Sequence, residues 1–144
     1  MKTISKEGLD FLTGLEGLIL HPYLDTQKVP TIGIGATYYE DGTRVTMKDP
    51  VITKARAYEL FILIKGRYED AINKSITVEL TQKQFDALFC LCYNIGAKGF
   101  SGSTLVKRIN AKASKQNIIL AWKMWTKQKV LISRREKEIK YYFA

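Results

Sequence analysis

Three polar residues stand out in the stretch LEGLILHPYLDTQKVPTIGIGAT, residues 15–37: Glu16, Asp25 and Thr31. Eight residues separate Glu16 from Asp25, and five separate Asp25 from Thr31. Two carboxyls and a hydroxyl facing one groove suit the hydrolysis of an acetal such as a glycosidic bond. That reaction needs a proton on the departing oxygen and negative charge beside a sugar ring that turns cationic. One carboxyl must therefore keep its proton while the other stays ionised. Glu16 falls at the end of a predicted helix, where exposed carbonyls and the apolar neighbours Leu15, Leu18 and Tyr23 disfavour its charged form. Asp25, in the polar turn DTQK, is expected to stay charged, with the Thr31 hydroxyl helping it hold a water. This chemistry calls for no metal and no cofactor. The spacing by itself is a weak signal, and surface charges with a turn-forming Asp account for it better.

The elements that must position these residues can be read from the pattern. Leu9, Phe11, Leu12 and Leu15 recur at helical spacings over Ser5–Glu16, with Ser5 as cap and Gly17 as a left-handed stop. From Leu18 to Val45 the segments are short and β-like, broken by DTQK and EDGT, and predict an antiparallel sheet of two or three strands. Gly33 and Gly35 in TIGIG permit close backbone approach. After Thr53 the chain reads as helical. Ala57, Leu60, Phe61, Ile64, Tyr68, Ala71 and Ile72 form one stripe of a long helix. Thr81 and Gln84 make a capping box for the next, which buries Phe85, Leu88, Phe89 and Cys92 and stops at Gly96. Two shorter helices follow, the second lined by Ile118, Trp122 and Trp125. Ser133 and Glu136 predict a second capping box opening the last helix. The fold class is α+β, one domain over residues 1–144. A small sheet lobe spans about 15–50, and a helical lobe spans about 53–144 plus the N-terminal helix. A cleft between such lobes is the expected binding site.

Composition narrows the class. The chain has 144 residues, 46% of them apolar, as in ordinary globular domains. No apolar run is long enough to predict a membrane span, and Glu7, Asp10 and Glu16 argue against reading the N-terminus as a signal peptide. Lys and Arg total 23 against 14 acids, for a net charge of +9. Such a surface attracts polyanions, whether nucleic acid, anionic lipid or an acidic wall polymer, or is simply lysine-rich and solvated. The basic residues are scattered rather than striped with aromatics, so nucleic-acid binding is not expected. Cys90 and Cys92 lie two apart in a predicted helix, cannot bridge each other there, and read as buried thiols rather than metal ligands.

The same residues carry a resemblance. Glu16, Asp25 and Thr31, set in EGLILHPYLDTQKVPTIGIGAT, resemble the catalytic segment of the phage-type lysozymes, the glycoside hydrolase family 24 muramidases. LTQKQFDALFCLCYNIG is similar to that family's LTQNQFDALVSFxFNxG, FSGSTLVKRIN to its FxxSTLLxxLN, and RREKE after a Trp to its RRxxE. The resemblance implies a lysozyme-like fold with a long connecting helix. It also implies cleavage of the β-1,4 bond between N-acetylmuramic acid and N-acetylglucosamine in peptidoglycan. Glu16 is then the general acid, Asp25 the water-activating or cation-stabilising carboxylate, and Thr31 its support. Inversion is the expected outcome, with the carboxyls roughly 6.5–9.5 Å apart. Thr37 and Tyr93 become candidate sugar contacts, although Tyr93 can equally be core. One departure is clear: Ala36 stands where the family usually has a His that helps join the lobes. His21, the one histidine, reads as an ordinary turn or surface residue. The Gly often found before the final helix is also missing.

The setting stays open between phage lysis through a pore made by another protein, delivery as an antibacterial effector, and bacterial wall remodelling. Synthesis in the cytoplasm and action in the periplasm or wall, through export or delivery machinery, is the expected course. Monomer is the expected state, without stable membrane insertion, and an inhibitor protein is a conceivable partner. Two other classes are weighed: a lysozyme-like wall-binding or protein-interaction module with little catalysis, and a small nucleic-acid-binding protein resting on charge alone.

Overall fold

The computed structural model describes residues 1–144. The elements run α1 (Lys6–Glu16), β1 (Ile19–Leu24), β2 (Pro30–Gly33), α2 (Lys54–Ser75), α3 (Gln82–Ile95), α4 (Ala97–Ser101), α5 (Thr104–Asn110), α6 (Lys115–Trp122) and α7 (Val130–Tyr142), with a 3-10 turn at Lys123–Trp125 before α7. The fold is α+β, mostly helical, with one two-stranded antiparallel sheet. Two compact units are distinguished: Asp10–Gly66, and Met1–Leu9 with Arg67–Ala144. Both α1 and α2 run across the boundary.

In the unit Asp10–Gly66 the sheet is supported from the chain that follows it. After β2 the backbone doubles back, and Ile32 and Ala36 exchange N–H···O bonds of 2.9 and 3.0 Å. Gly33 is needed here twice over. Its φ is +69°, and an added Cβ would meet the Cβ of Ala57 on α2 at 3.2 Å. Ile32, Ala36, Val45 and Leu60 form a buried cluster with Tyr39 and Ile52 against it. Ala36 therefore fills an apolar site, and a polar side chain there would need a buried partner. At the edge of this unit Arg56 grips both oxygens of Glu40, at 2.6 Å from Nη2 to Oε1. That grip, chiefly its hydrogen bonds, holds the Glu40 carboxyl down at about 2. Of the two or three strands expected, two form, and beyond them Tyr38 and Arg44 make only an isolated bridge.

The other unit is built on α3. Its start is the expected capping box: Thr81 accepts from the Gln84 N–H, and Gln84 accepts from the Thr81 N–H at 2.8 Å. Its apolar face, Phe85, Leu88, Phe89 and Cys92, is fully buried. Burying each large side chain is worth about 1.5–3 kcal/mol, enough to decide where the helix lies. Cys90 and Cys92 are free thiols in this interior, and burial pushes the Cys92 thiol up to about 12.

α7 packs on α3 through charge. Glu138 is wholly buried and accepts from Trp122 Nε1 (3.1 Å), Arg135 Nη1 (2.6 Å) and Arg134 Nε (3.0 Å). The remaining guanidinium donors reach backbone and side chain: Arg134 to the Cys90 carbonyl, Arg135 to the Trp125 carbonyl and to Asn94 Oδ1. This is the physical content of the RRxxE pattern. Positions 134, 135 and 138 meet on one helical face because they are three and four apart. The second capping box is overturned. α7 starts at Val130 after Lys129 with no side-chain cap, and Ser133 lies inside it. Main-chain turn bonds, Leu131 N–H to Gln128 and Ile132 N–H to Lys129, start the helix one turn early. The sequence reading also missed the short α4.

Glu138→Ala removes the buried acceptor shared by Trp122, Arg134 and Arg135 and should cost about 3–5 kcal/mol. Glu138→Gln, which keeps an acceptor, should cost less. Urea unfolding of both variants checks the order.

Candidate active site

The three residues singled out by spacing all fall in the unit Asp10–Gly66. Glu16 is the last residue of α1 and is half-buried. Gly17 follows at φ +84°, and its N–H closes the helix on the Thr13 carbonyl at 2.8 Å. No atom crowds Gly17 closely, so its requirement is conformational: a left-handed residue ends the helix and sends the chain into β1.

β1 and β2 pair Ile19 with Gly33, Tyr23 with Thr31 and Leu24 with Pro30, with an irregularity between Ile19 and Tyr23. Pro22, which offers no N–H, lies within that irregular stretch. Tyr23 and Thr31 are direct cross-strand partners, so their side chains share one face. His21 is exposed, with Nδ1 at 3.0 Å from the Pro22 carbonyl, as expected for a surface residue.

Asp25 opens the hairpin loop and is held by it. Its Oδ1 accepts the N–H groups of Gln27 (2.8 Å) and Val29 (2.9 Å). Its own N–H donates to the Val29 carbonyl at 3.1 Å, and its carbonyl accepts from Lys28 at 2.9 Å. Lys28 adopts φ 62°, the left-handed position of this turn. The Val29 carbonyl also accepts the Thr31 hydroxyl, at 2.8 Å. A single peptide unit pair at Val29 thus ties Asp25 to Thr31. Sequence reasoning missed this because backbone groups carry no signature.

The pattern of bonds separates Asp25 from the structural acids. Asp49 is bonded at both oxygens, by Thr46 and Tyr39. So is Asp86, by Ser5 and Gln82. Glu138 is bonded at both as well. The two side-chain bonds to Asp25 converge on Oδ1. Thr31 is 3% exposed and spends its proton on Val29, so toward a water it can only accept.

Tyr23 is the residue the spacing argument passed over. It is half-buried, and its phenol is pushed up first by burial, then by Glu16, then by Asp25. Both carboxyls therefore act on one side chain. The available signal was its place two residues before Asp25 in an alternating strand.

The remaining candidates are Thr37 and Tyr93. Thr37 is half-buried and its carbonyl accepts from Val45 at 2.9 Å. Tyr93 belongs to the other unit, packed against Tyr68 and Phe89 with ring centroids 4.8 and 5.7 Å away. No group of three or more His, Cys, Asp or Glu residues is arranged to hold a metal ion.

Comparison with known proteins adds to this geometry. The family model described as phage lysozyme matches residues 13–138. The endolysin of Salmonella phage P22 is similar, 37% identical over 141 residues, covering 96% of each chain. A crystal structure of a P22 lysozyme mutant superposes with a TM-score of 0.87 at 34% identity and covers 100% of both chains. The endolysin from Escherichia coli O157:H7 phage FAHEc1 superposes with a TM-score of 0.89 at 34% identity, over 98% of this chain and 93% of that one.

The turn and the charge of Asp25 can be separated. Asp25→Asn keeps a carbonyl acceptor for Gln27 and Val29 and should unfold close to the wild type. Asp25→Ala loses both bonds and should cost about 1–2 kcal/mol. Thermal unfolding of the two variants side by side measures the difference.

Proposed function

We propose, on the premise that this chain belongs to the phage lysozyme family, that Glu16 and Asp25 are its acid and base. The protein is a muramidase, a glycoside hydrolase acting on peptidoglycan in the bacterial cell wall. The observation that carries the assignment is the asymmetry at Asp25, ordered at Oδ1 and open at Oδ2, with Glu16 acting on the same phenol.

In this reading Glu16 gives its proton to the glycosidic oxygen between N-acetylmuramic acid and N-acetylglucosamine as that C–O bond breaks. A water attacks the anomeric carbon from the opposite face. Asp25 Oδ2 takes the proton that the water sheds, and the Thr31 hydroxyl oxygen accepts a hydrogen bond from the water's other O–H, which stays on the product. The ring passes through a cationic transition state beside the Asp25 charge, and the product is inverted. Reset needs only solvent, which takes the proton from Asp25 and returns one to Glu16. Thr37 and Tyr93 are proposed as sugar contacts.

The surroundings follow the same logic. A net charge of +9 draws the enzyme to a wall whose polymers are largely anionic. No helix is long and apolar enough to cross a membrane. A monomer made in the cytoplasm and passed to the wall by another protein, a phage pore or a secretion apparatus, accounts for these features. An inhibitor protein would be a natural partner in the effector setting.

Glu16→Gln and Asp25→Asn should each lower the clearing of purified peptidoglycan by about 10²–10⁴-fold. The wild type should release new reducing N-acetylmuramic acid ends. Full activity in either variant would remove that residue from the mechanism. Wall binding without cleavage by the wild type would favour a binding module instead.

A further inference from the structure

We infer that the helical unit carries a second binding site, a groove between α6 and α7 that takes one small anionic amphiphile, a short aliphatic chain ending in a phosphate or carboxylate. It stands apart from the acid and base roles proposed above.

Helical spacing builds the groove. Lys115 and Ile119 on α6, and Lys123 in the 3-10 turn that continues it, are four residues apart and share one face. Glu136, Ile139 and Lys140 on α7, with Phe143 just past its end, recur at three and four and form the facing side. These residues and Ala144 line a cavity of about 480 Å³. That volume falls within the roughly 300–1,000 Å³ of sites that hold one small molecule.

The lining has two chemistries. Ile139 is buried and Ile119 and Phe143 are half-buried, so the floor is apolar. Lys115, Lys123 and Lys140 are exposed around it, and Glu136 is the acidic side chain among them. None of these four is in an ion pair. Even with a carboxylate at Ala144 counted, the cations outnumber the anions. Lys115 Nζ lies 4.9 Å from the centroid of the Phe143 ring, which brings positive charge onto the apolar floor itself. A simple anion would satisfy the lysines and leave the floor wet. A neutral hydrocarbon would cover the floor and ignore the charge. A glycan would set its hydroxyls against isoleucine side chains. A chain with one anionic head meets both demands, because its methylenes leave water on the floor while its head sits among ammonium groups.

The probe is decyl phosphate, kept below its self-assembly concentration and titrated into the full chain by calorimetry. One molecule should bind per chain, with decanol and inorganic phosphate each weaker by at least about 10-fold. Ile119→Glu sets a carboxylate where the chain lies, and the double variant Lys123→Glu with Lys140→Glu reverses the charge at the head; each should weaken binding by at least about 10-fold. Glu16→Gln should bind as the wild type does. Decanol or inorganic phosphate binding as tightly as the probe, or equal binding by all variants, would overturn the inference. So would loss of binding in Glu16→Gln, which would put the probe in the catalytic unit. If Ile119→Glu does not fold, the wild type decides: the methyl NMR resonances of Ile119 and Ile139 should shift and saturate at one equivalent of probe, and still resonances end the proposal. Leu120 and Met124 are 54% and 63% exposed beside the groove without lining it. Capture by phosphatidylglycerol vesicles that Leu120→Ser and Met124→Ser abolish, with no binding of free decyl phosphate, would make this face a membrane-docking patch and overturn the inference.

Discussion

A carboxylate drawn out of water must be given hydrogen bonds or give up its charge, and this protein is organised around how it meets that demand. Glu138 meets it with two guanidiniums and an indole, Asp86 with the start of α1, Asp49 with its own loop and Tyr39. Each of these acids is closed at both oxygens and has become a structural joint. Asp25 meets the demand with peptide N–H groups alone, and with one oxygen alone. The difference bears on the proposed role of Asp25: a guanidinium partner would cancel the charge that a cationic sugar needs, whereas peptide N–H groups hold the carboxylate in place without a counter-charge.

The joint at Glu138 does a different task from the site. Its donors come from α6 and α7, and the outer guanidinium groups reach Cys90, Asn94 and Trp125. It therefore fixes α7 and the 3-10 turn to the C-terminal part of α3, the segment that carries Tyr93. An ion cluster this deeply buried stabilises little against an apolar replacement; its bonds to other elements, from Trp122 to Glu138 and from the two arginines to Cys90 and Asn94, tie α7 to α6 and α3. The helical unit thus has its packing from apolar faces and its alignment from charge.

Much of this was readable in the sequence wherever a side chain's type dictates its surroundings. Thr81 and Gln84 could be recognised as a capping box because the two partners lie in sequence and bond each other. Gly17 could be read as a helix stop because so few residues take positive φ. The apolar stripe of α3 followed from periodicity. Ser133 and Glu136 have the same local pattern as Thr81 and Gln84, yet they lie inside α7, because main-chain bonds at Gln128 and Lys129 start that helix earlier. A cap motif says that a helix can start there, not that it must. The Thr31 hydroxyl and the Val29 peptide could not be foreseen at all. Their roles depend on which backbone atoms a five-residue turn brings together, and the residue names carry no trace of that. Tyr23 was legible only in part: strand alternation gives its side, but the pull of two acids on its phenol is a property of three dimensions.

The arrangement also bears on Ala36. The family resemblance leads to the expectation that Ala36, in place of a His, weakens geometry at the site. In this chain, however, Tyr23, Asp25 and Thr31 are joined by a hairpin loop and one strand pairing. None of those contacts passes through Ala36. What Ala36 supports is the tight return after β2, where it bonds Ile32 and joins the apolar cluster with Val45 and Leu60. A histidine there would bring a polar ring into a closed apolar site, at a cost that only a buried partner could offset. Ala36 and its cluster are therefore a consistent set, and the turn that holds Asp25 and Thr31 is built by local bonds that do not involve Ala36.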